Sequence, residues 1–262
     1  MTLLAEDQVE ALRVLSRFWP GAKLSLIGAS ALACLMPGFK RRTYDLDVAV
    51  AVSLNELPSE LNQPAGWQRD ARREQRWITP AGTKVDLIPA GPELLSAGQV
   101  TWPSGRVMSL RGFRHAFSST CSVEVAAGFR VDVPTVPVIT LLKVIAYQER
   151  PHERERDLGD IAFALTTFES ENVERQFSPE VLEAGIRYEE VSPYLLGRDL
   201  RRLLDEDERT SVMTFIALAK GQADGGRTQL LMLEQAPIPA WREHPEEFRA
   251  AVAAFEKGVG DH

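Results

Sequence analysis

The chain has 262 residues, of which 44% are hydrophobic and 26% are charged, and its formal net charge at pH 7 is −7. This composition is typical of an ordinary globular protein, and the length allows one large domain or two of ordinary size, of which we expect two. The negative net charge argues against a surface that is basic throughout and coats nucleic acid, although a local basic patch is compatible with it.

The sequence carries no signal for a membrane span or for export. Its longest apolar stretch, Leu24 to Met36, is interrupted by polar residues and is too short to cross a bilayer. The first residues turn acidic where a signal peptide would be basic and then apolar. Only two cysteines occur, Cys34 and Cys121, without a Cys-x-x-Cys spacing that would indicate a zinc cluster. We therefore expect a cytoplasmic protein that does not associate with membranes.

The first 36 residues predict a helix, a strand and a second helix. Apolar residues at intervals of three and four run from Val9 to Trp19 and end at Pro20-Gly21, which is typical of an amphipathic helix. A strand over Lys23–Ile27 then meets the small residues Gly28, Ala29 and Ser30, and a short helix follows up to Met36. The predicted unit is strand, small-residue turn, helix.

The next hundred residues predict mainly strands. We expect a strand over 45–52, a helix over 54–61, extended segments around Trp67 and Trp77, and a return strand over 84–89 after the turn at 80–83. The region 91–112 is polar and predicts loops, and residues 123–133 predict a hairpin.

From Thr135 onward the pattern predicts helices almost without exception. The predicted helices cover 138–148, 157–168, 179–189, 193–204, 208–220 and 246–257. Because Pro134 and Pro137 bracket the change, we place a domain boundary there. The predicted domains are an α/β domain over 1–135 and an all-helical domain over 136–262.

Asp45 and Asp47 are two residues apart in the otherwise apolar segment Tyr44–Val50, so both carboxylates should project from one face of a buried strand. Two neighbouring carboxylates in such a place repel each other unless a cation lies between them. We therefore predict a divalent metal site. The alternative is a strand-end pair capped by Lys40 or Arg42.

A third carboxylate on a later strand would complete this site. Asp86 lies between Val85 and Leu87 and is the preferred candidate; Asp132 and Glu124, which also lie between apolar residues, are the alternatives. Carboxylates on adjacent strands can hold about two Mg²⁺ or Mn²⁺ ions that clamp the attacking and leaving oxygens in a displacement at phosphorus. A helix start with small residues, such as Gly28-Ala29-Ser30, favours a phosphate nearby.

These motifs resemble the DNA polymerase β-like nucleotidyltransferase superfamily, and more narrowly the AbiEii-type toxin nucleotidyltransferases. The resemblance rests on Leu26–Leu32, on Arg42-Thr43-Tyr44-Asp45-Leu46-Asp47, on Lys143 within a helix and on Arg156-Asp157-Leu158-Gly159-Asp160. It covers roughly residues 22 to 168 and leaves the rest unmatched. Ala29 stands where the superfamily usually has Ser or Gly, and Ser30 is the candidate for the missing hydroxyl.

The resemblance implies an α/β (α+β) fold with a mixed sheet and flanking helices, and an enzyme that transfers an NMP from an NTP to an acceptor hydroxyl. Asp45, Asp47 and Asp86 would bind the metal ions, and Asp86 would also help to deprotonate the acceptor. The residues implied in binding the nucleotide are Gly28, Ala29, Ser30, Arg42, Thr43, Lys143, Asp157 and Asp160. Lys143 would also act in catalysis, by neutralising the charge that develops on the leaving group. For Lys143 and the two aspartates that follow it, an interhelical ion pair is the structural alternative.

The family further implies a toxin that acts on RNA such as tRNA and is paired with a cognate antitoxin. A transferase for a small-molecule acceptor, of the antibiotic-modifying type, is the second hypothesis. The third is a catalytically silent module that binds a nucleotide or a partner protein. The basic runs Lys40–Arg42 and Arg69–Arg76 are candidate contact surfaces, and each can equally be a solvated loop.

Overall fold

The computed structural model describes residues 4–39, 41, 43–57 and 66–260. The chain divides into two compact units, Met1–Thr135 and Val136–His262. The first unit contains every strand found in the described residues, and the described part of the second unit is helical. No helix in the described part of the chain is long and apolar enough to cross a membrane.

The first four elements of unit 1 follow the predicted order. They are helix α1 (Glu6–Phe18), strand β1 (Leu24–Ile27), helix α2 (Gly28–Leu35) and strand β2 (Asp45–Val50). Helix α1 forms because its apolar stripe, including Val9, Leu12 and Leu15, is buried while acidic residues occupy its first turn.

The remaining elements of unit 1 complete a sheet and add a small hairpin. They are β3 (Gln68–Arg69), β4 (Arg76–Ile78), β5 (Lys84–Pro89), α3 (Pro92–Ala97), β6 (Gln99–Thr101), β7 (Val107–Ser109), α4 (His115–Ser118), β8 (Thr120–Ala126) and β9 (Phe129–Pro134).

One prediction in this unit was wrong, and a second is tested only in part. The region 91–112, expected to form loops, contains α3 and the β6–β7 hairpin, because Val100 and Trp102 are fully buried and fix this segment. Of the segment 54–61, predicted to be a helix, the described residues 54–57 contain a 3₁₀ turn, Leu54–Glu56, with a capping box between Ser53 and Glu56. Residues 58–65 lie outside the described residues.

Seven strands form one mixed sheet in the order β3-β4-β5-β2-β1-β9-β8. The central pairs β2–β5 and β1–β9 are parallel, whereas β1–β2, β3–β4, β4–β5 and β8–β9 are antiparallel. A mixed sheet with flanking helices, followed by helices alone, confirms the predicted fold class.

Unit 2 is built from helices of very different lengths. They are α5 (Val136–Glu149), α6 (Glu155–Thr167), α7 (Val173–Gln176), α8 (Pro179–Glu183), α9 (Val191–Arg201), α10 (Glu206–Ala219), α11 (Arg227–Gln235), α12 (Ala240–Glu243) and α13 (Pro245–Gly260). The helix predicted over 179–189 ends early, because Gly185 takes a left-handed conformation (φ +63°) before a separate 3₁₀ turn begins at Tyr188. The sequence pattern missed α7, α11 and α12.

Helices α9 and α13 cross with their backbones in direct contact. A Cβ atom at Gly197 would lie 2.4 Å from the carbonyl oxygen of Phe255, and one at Gly258 would lie 2.2 Å from the carbonyl oxygen of Tyr194. Both distances are far below van der Waals contact, so this crossing requires glycine at both positions.

Replacing Gly258 by alanine should therefore destabilise unit 2. We expect the free energy of unfolding, measured by urea denaturation with circular dichroism, to fall by about 1–3 kcal/mol, the usual cost of overpacking. Gly260→Ala is the matched control, since it lies on the same helix and its Cβ would meet nothing within 4 Å. Equal stability of the two variants would contradict the close crossing.

Candidate active site

Two adjacent strands, β2 and β5, carry the predicted carboxylates on one face of the sheet. Asp47 on β2 pairs with Ile27 on β1 and with Asp86 on β5, and Asp86 in turn pairs with Arg76 on β4. Asp45 projects from the same face of β2 as Asp47, because side chains alternate along a strand. The pairing of β2, β5 and β4 therefore brings Asp45, Asp47 and Asp86 together beside Arg76.

Arg76 is bound to two of these carboxylates. Its Nε donates to Oδ1 of Asp86 at 2.7 Å, and its Nη2 donates both to Oδ2 of Asp86 at 3.0 Å and to Oδ2 of Asp45 at 2.7 Å. The side chains of Arg76 and Asp86 are only 10% and 11% exposed, whereas that of Asp45 is 36% exposed. The hydrogen bond to Asp86, assisted by the nearby charges of Asp45 and Asp47, raises the pKa of Arg76 above its usual value.

Sequence reasoning missed Arg76, which it grouped with a basic run and interpreted as a contact surface or a solvated loop. The guanidinium supplies a cation between the carboxylates of Asp45 and Asp86, as the repulsion between neighbouring carboxylates requires. The capping role suggested for Lys40 and Arg42 concerns positions outside the described residues, as does the predicted nucleotide contact of Arg42.

The backbone of Asp45 is fixed by two hydroxyl groups. Ser30 Oγ donates to the Asp45 carbonyl oxygen at 3.2 Å, and Thr43 Oγ1 donates to the same oxygen at 3.0 Å. Gln8 Nε2 donates in turn to the Thr43 carbonyl oxygen at 3.3 Å. Ser30 is fully buried, so its hydroxyl anchors β2 in this structure, and the phosphate contact predicted for it stays a prediction.

Gly28 begins α2 directly against the carboxylate of Asp47. Its φ of +73° is in the left-handed region, and a Cβ at this position would lie 2.4 Å from Oδ2 of Asp47. The next residue, Ala29, is buried. Glycine is therefore required at the strand-to-helix turn for two independent reasons, backbone conformation and space for Asp47.

The other carboxylates considered for the third position lie elsewhere in the sheet. Asp132 is exposed on β9, in register with Ser25 of β1, and β9 is separated from β2 by β1. Glu124 is exposed on the edge strand β8, where its side chain accepts a hydrogen bond from Gly128 N at 3.1 Å. The structure brings Asp86, and neither of these two, beside Asp45 and Asp47.

The carboxylates at this site suit a divalent ion that takes some of its ligands from the protein and the others from water and a substrate. No group of three or more Asp, Glu, His or Cys side chains in the described part of the chain is arranged to hold a metal ion. Both oxygens of Asp86 already accept hydrogen bonds from Arg76. Mg²⁺ usually takes one or two carboxylates and completes its shell with water and substrate phosphates. Asp45 and Asp47 fit that requirement, whereas Asp86 is committed to Arg76.

Lys143 forms a separate buried cluster inside unit 2. Its Nζ on α5 donates to Oδ1 of Asp157 at 2.7 Å and to Oδ2 of Asp160 at 2.6 Å, both on α6. All three side chains are less than 10% exposed. Burial disfavours the charged lysine, but the two carboxylates outweigh it and raise the pKa of Lys143 above its usual value. The interhelical ion pair is thus present, and a contact of Lys143 with a nucleotide stays a prediction.

Replacing Gly28 by alanine should displace the carboxylate of Asp47. We expect Gly28→Ala to weaken Mn²⁺ binding, measured by electron paramagnetic resonance, by about tenfold or more, since a misplaced ligand costs at least that much. Gly82→Ala is the control, because Gly82 also has a positive φ (+86°) but a Cβ there would meet nothing within 4 Å. The close packing of Gly28 on Asp47 would be contradicted if both variants bound Mn²⁺ as the parent does.

Replacing Lys143 by methionine should leave two carboxylates buried without their cation. We expect the free energy of unfolding to fall by about 3–5 kcal/mol, the usual effect of breaking a buried pair. Lys220→Met provides the comparison in the same unit, since the ion pair of Lys220 with Glu256 is partly exposed and should contribute at most about 1 kcal/mol. Urea denaturation of both variants at neutral pH measures the difference; equal losses would argue against the buried pair.

The chain is weakly similar to a solved structure. No protein-family model matches the chain, and no curated protein matches it. Among solved structures, it is similar to the crystal structure of an antigenic nucleotidyltransferase-like protein from Paracoccidioides brasiliensis, with 17% identity and a TM-score of 0.40. The match covers 60% of this chain and 75% of that chain.

Proposed function

We propose that this chain is a nucleotidyltransferase of the polymerase β-like type, which transfers an NMP from an NTP to an acceptor hydroxyl and releases pyrophosphate. The observation that carries the proposal is the gathering of Asp45, Asp47 and Asp86 on one face of the adjacent strands β2 and β5, beside the start of α2 at Gly28. Carboxylates gathered beside a partly exposed one, Asp45, are typical of functional sites.

Asp45 and Asp47 would hold a divalent ion, Mg²⁺ or Mn²⁺. Such an ion, when bound, neutralises phosphate charge and favours displacement at the α-phosphorus. The chain itself keeps Asp45 in place through Ser30, Thr43 and Arg76. The Asp45 carboxylate is therefore already in position, so it would need no reorganisation during the reaction.

Asp86 would position the site rather than take the proton of the acceptor. Both of its oxygens accept hydrogen bonds from the guanidinium of Arg76, so both are already engaged within the site. This revises the role that the sequence suggested for Asp86, while its place next to Asp47 supports its membership of the site.

We propose RNA, such as tRNA, as the acceptor, and a toxin controlled by a cognate antitoxin as the biological role. The motif order that resembles the AbiEii-type toxins supports both statements. A structural observation also supports RNA: Arg69, Arg72 and Arg73 are exposed in and after β3, on the hairpin that carries Arg76. This local basic patch can contact phosphates although the whole chain is acidic.

Incubation with each α-³²P-labelled NTP, Mg²⁺ and total RNA tests the proposal. We expect label in RNA, and we expect Asp47→Asn to reduce it by at least about a hundredfold, since a lost ligand misplaces the reacting phosphate. Asp132→Asn should retain activity, because Asp132 is an exposed carboxylate on a different part of the same sheet.

The outcome also separates the competing functions. Label in a small molecule alone would support the antibiotic-modifying type of transferase. Saturable NTP binding without label in RNA, in small molecules or in the protein would contradict both enzymes and leave the silent binding module.

A further inference from the structure

Half of the exposed large apolar side chains in the described residues lie within one short stretch of unit 2. They are Val173, Phe177, Leu182 and Tyr188, four of eight, and each is at least 56% exposed. The rings of Phe177 and Tyr188 stack on each other, with their centroids 6.2 Å apart and their planes inclined by 21°. We call these four side chains the apolar patch. Exposed apolar side chains that cluster in this way are typical of interaction surfaces.

Hydrogen bonds hold the patch residues near one another. Phe177 N donates to Val173 O at 3.2 Å, so these two residues are one helical turn apart. Leu182 N donates to Ser178 O at 3.1 Å, which places Leu182 one turn after the residue that follows Phe177. The buried side chain of Gln176 donates to two backbone carbonyl oxygens, at 2.8 and 2.6 Å, and ties this stretch to the end of the preceding helix. A partner would therefore meet a surface that needs little reorganisation.

The stretch that carries the patch is strongly acidic. Residues 169–190 contain seven acidic residues and two arginines, a formal charge of −5, whereas the whole chain carries −7. Both arginines, Arg175 and Arg187, already pair with carboxylates. Lys257 contacts the stretch through a hydrogen bond from its Nζ to the carbonyl oxygen of Ala184. Negative charge is still in excess, because four exposed acidic residues of the stretch form no ion pair with another described residue: Glu171, Glu174, Glu183 and Glu189.

The combination of aromatic rings and carboxylates decides which class of partner fits. RNA and anionic lipid surfaces carry negative charge, which the unpaired carboxylates would repel. An arginine side chain suits both features of the surface, because its guanidinium pairs with a carboxylate and stacks on an aromatic ring. Apolar side chains of the same partner would cover the remaining apolar area and exclude water from the contact.

We propose that the apolar patch is a docking surface for another protein, through a segment that combines arginines with apolar side chains. The apolar side chains of that segment cover Val173 and Leu182. Its arginines stack on Phe177 and Tyr188 and pair with the surrounding carboxylates. The inference goes beyond the proposed nucleotidyl transfer and does not rest on it, since the patch lies in unit 2 and shares no residue with the carboxylates of β2 and β5.

Fluorescence anisotropy with a labelled peptide of leucine and arginine tests the inference on the full-length protein. A matched peptide carries glutamate in place of every arginine. We expect saturable binding of the arginine peptide and no binding of the glutamate peptide. Phe177→Ser with Tyr188→Ser should weaken binding by about tenfold or more, because aromatic anchors carry much of the affinity of an interface. Leu230→Ser is the matched control: Leu230 is 58% exposed on α11 of the same unit, and its loss should leave binding unchanged.

A second pair of variants tests the charges, and it carries the test even if the ring variant does not fold. Glu174→Gln with Glu183→Gln should weaken binding of the arginine peptide by up to about tenfold and make it less sensitive to salt. Glu206→Gln with Asp207→Asn is the control, because it removes two exposed acidic residues of α10 in the same unit and should leave binding unchanged. Circular dichroism verifies that each variant is folded.

Several outcomes would overturn the inference. One is a parent protein that does not bind the arginine peptide, and another is a test variant that binds it as its control does. Self-association of the parent, measured by analytical ultracentrifugation and lost in the ring variant, would show that a second copy covers the patch. RNA binding that the ring variant loses would count equally against it. Peptide binding through the patch by a protein without transferase activity would refute the proposed function and leave the docking surface supported.

Discussion

The ion network of Arg76 with Asp86 and Asp45 is the interaction on which the candidate site depends. Three carboxylates on adjacent strands would repel one another at a spacing set by the sheet, and burial of the Asp86 carboxylate without a partner would be costly. The guanidinium resolves both problems because its fork matches one carboxylate and reaches a second. Strand register, rather than loop conformation, therefore holds the charged groups of the site.

Much of this arrangement could be predicted from the sequence. The strands that carry Asp45, Asp47 and Asp86 are short apolar runs with isolated acidic residues, and the Gly28 turn lies between a strand and a helix that were both recognised. These are local patterns, in which the period of apolar residues and the turn residues determine the element. The change from strands to helices near residue 135 was visible for the same reason.

The role of Arg76 could not be identified from the local sequence pattern, because it depends on which residues the arginine meets across paired strands. In a run of four arginines it is indistinguishable from its exposed neighbours. The signal that could have found it is the turn at Pro80–Thr83, since a hairpin closed there pairs Trp77 with Val85 and consequently Arg76 with Asp86. The β6–β7 hairpin was not predicted for a similar reason: its buried residues Val100 and Trp102 are isolated apolar residues in a polar segment.

The two units satisfy the same electrostatic demand in different ways, and the difference bears on function. In unit 2 the ammonium of Lys143 bridges two carboxylates that are less than 10% exposed, so all three charges are closed off from a ligand. In unit 1 the planar guanidinium of Arg76 leaves Asp45 partly exposed and leaves its Oδ1 without a donor among the described residues. A closed cluster mainly specifies how α5 packs against α6. A partly exposed cluster can also bind a cation, which can in turn bind a phosphate. The proposed activity therefore rests on Asp45, Asp47 and Asp86, and a catalytic role for Lys143 would require α5 and α6 to release an ion pair that is already complete.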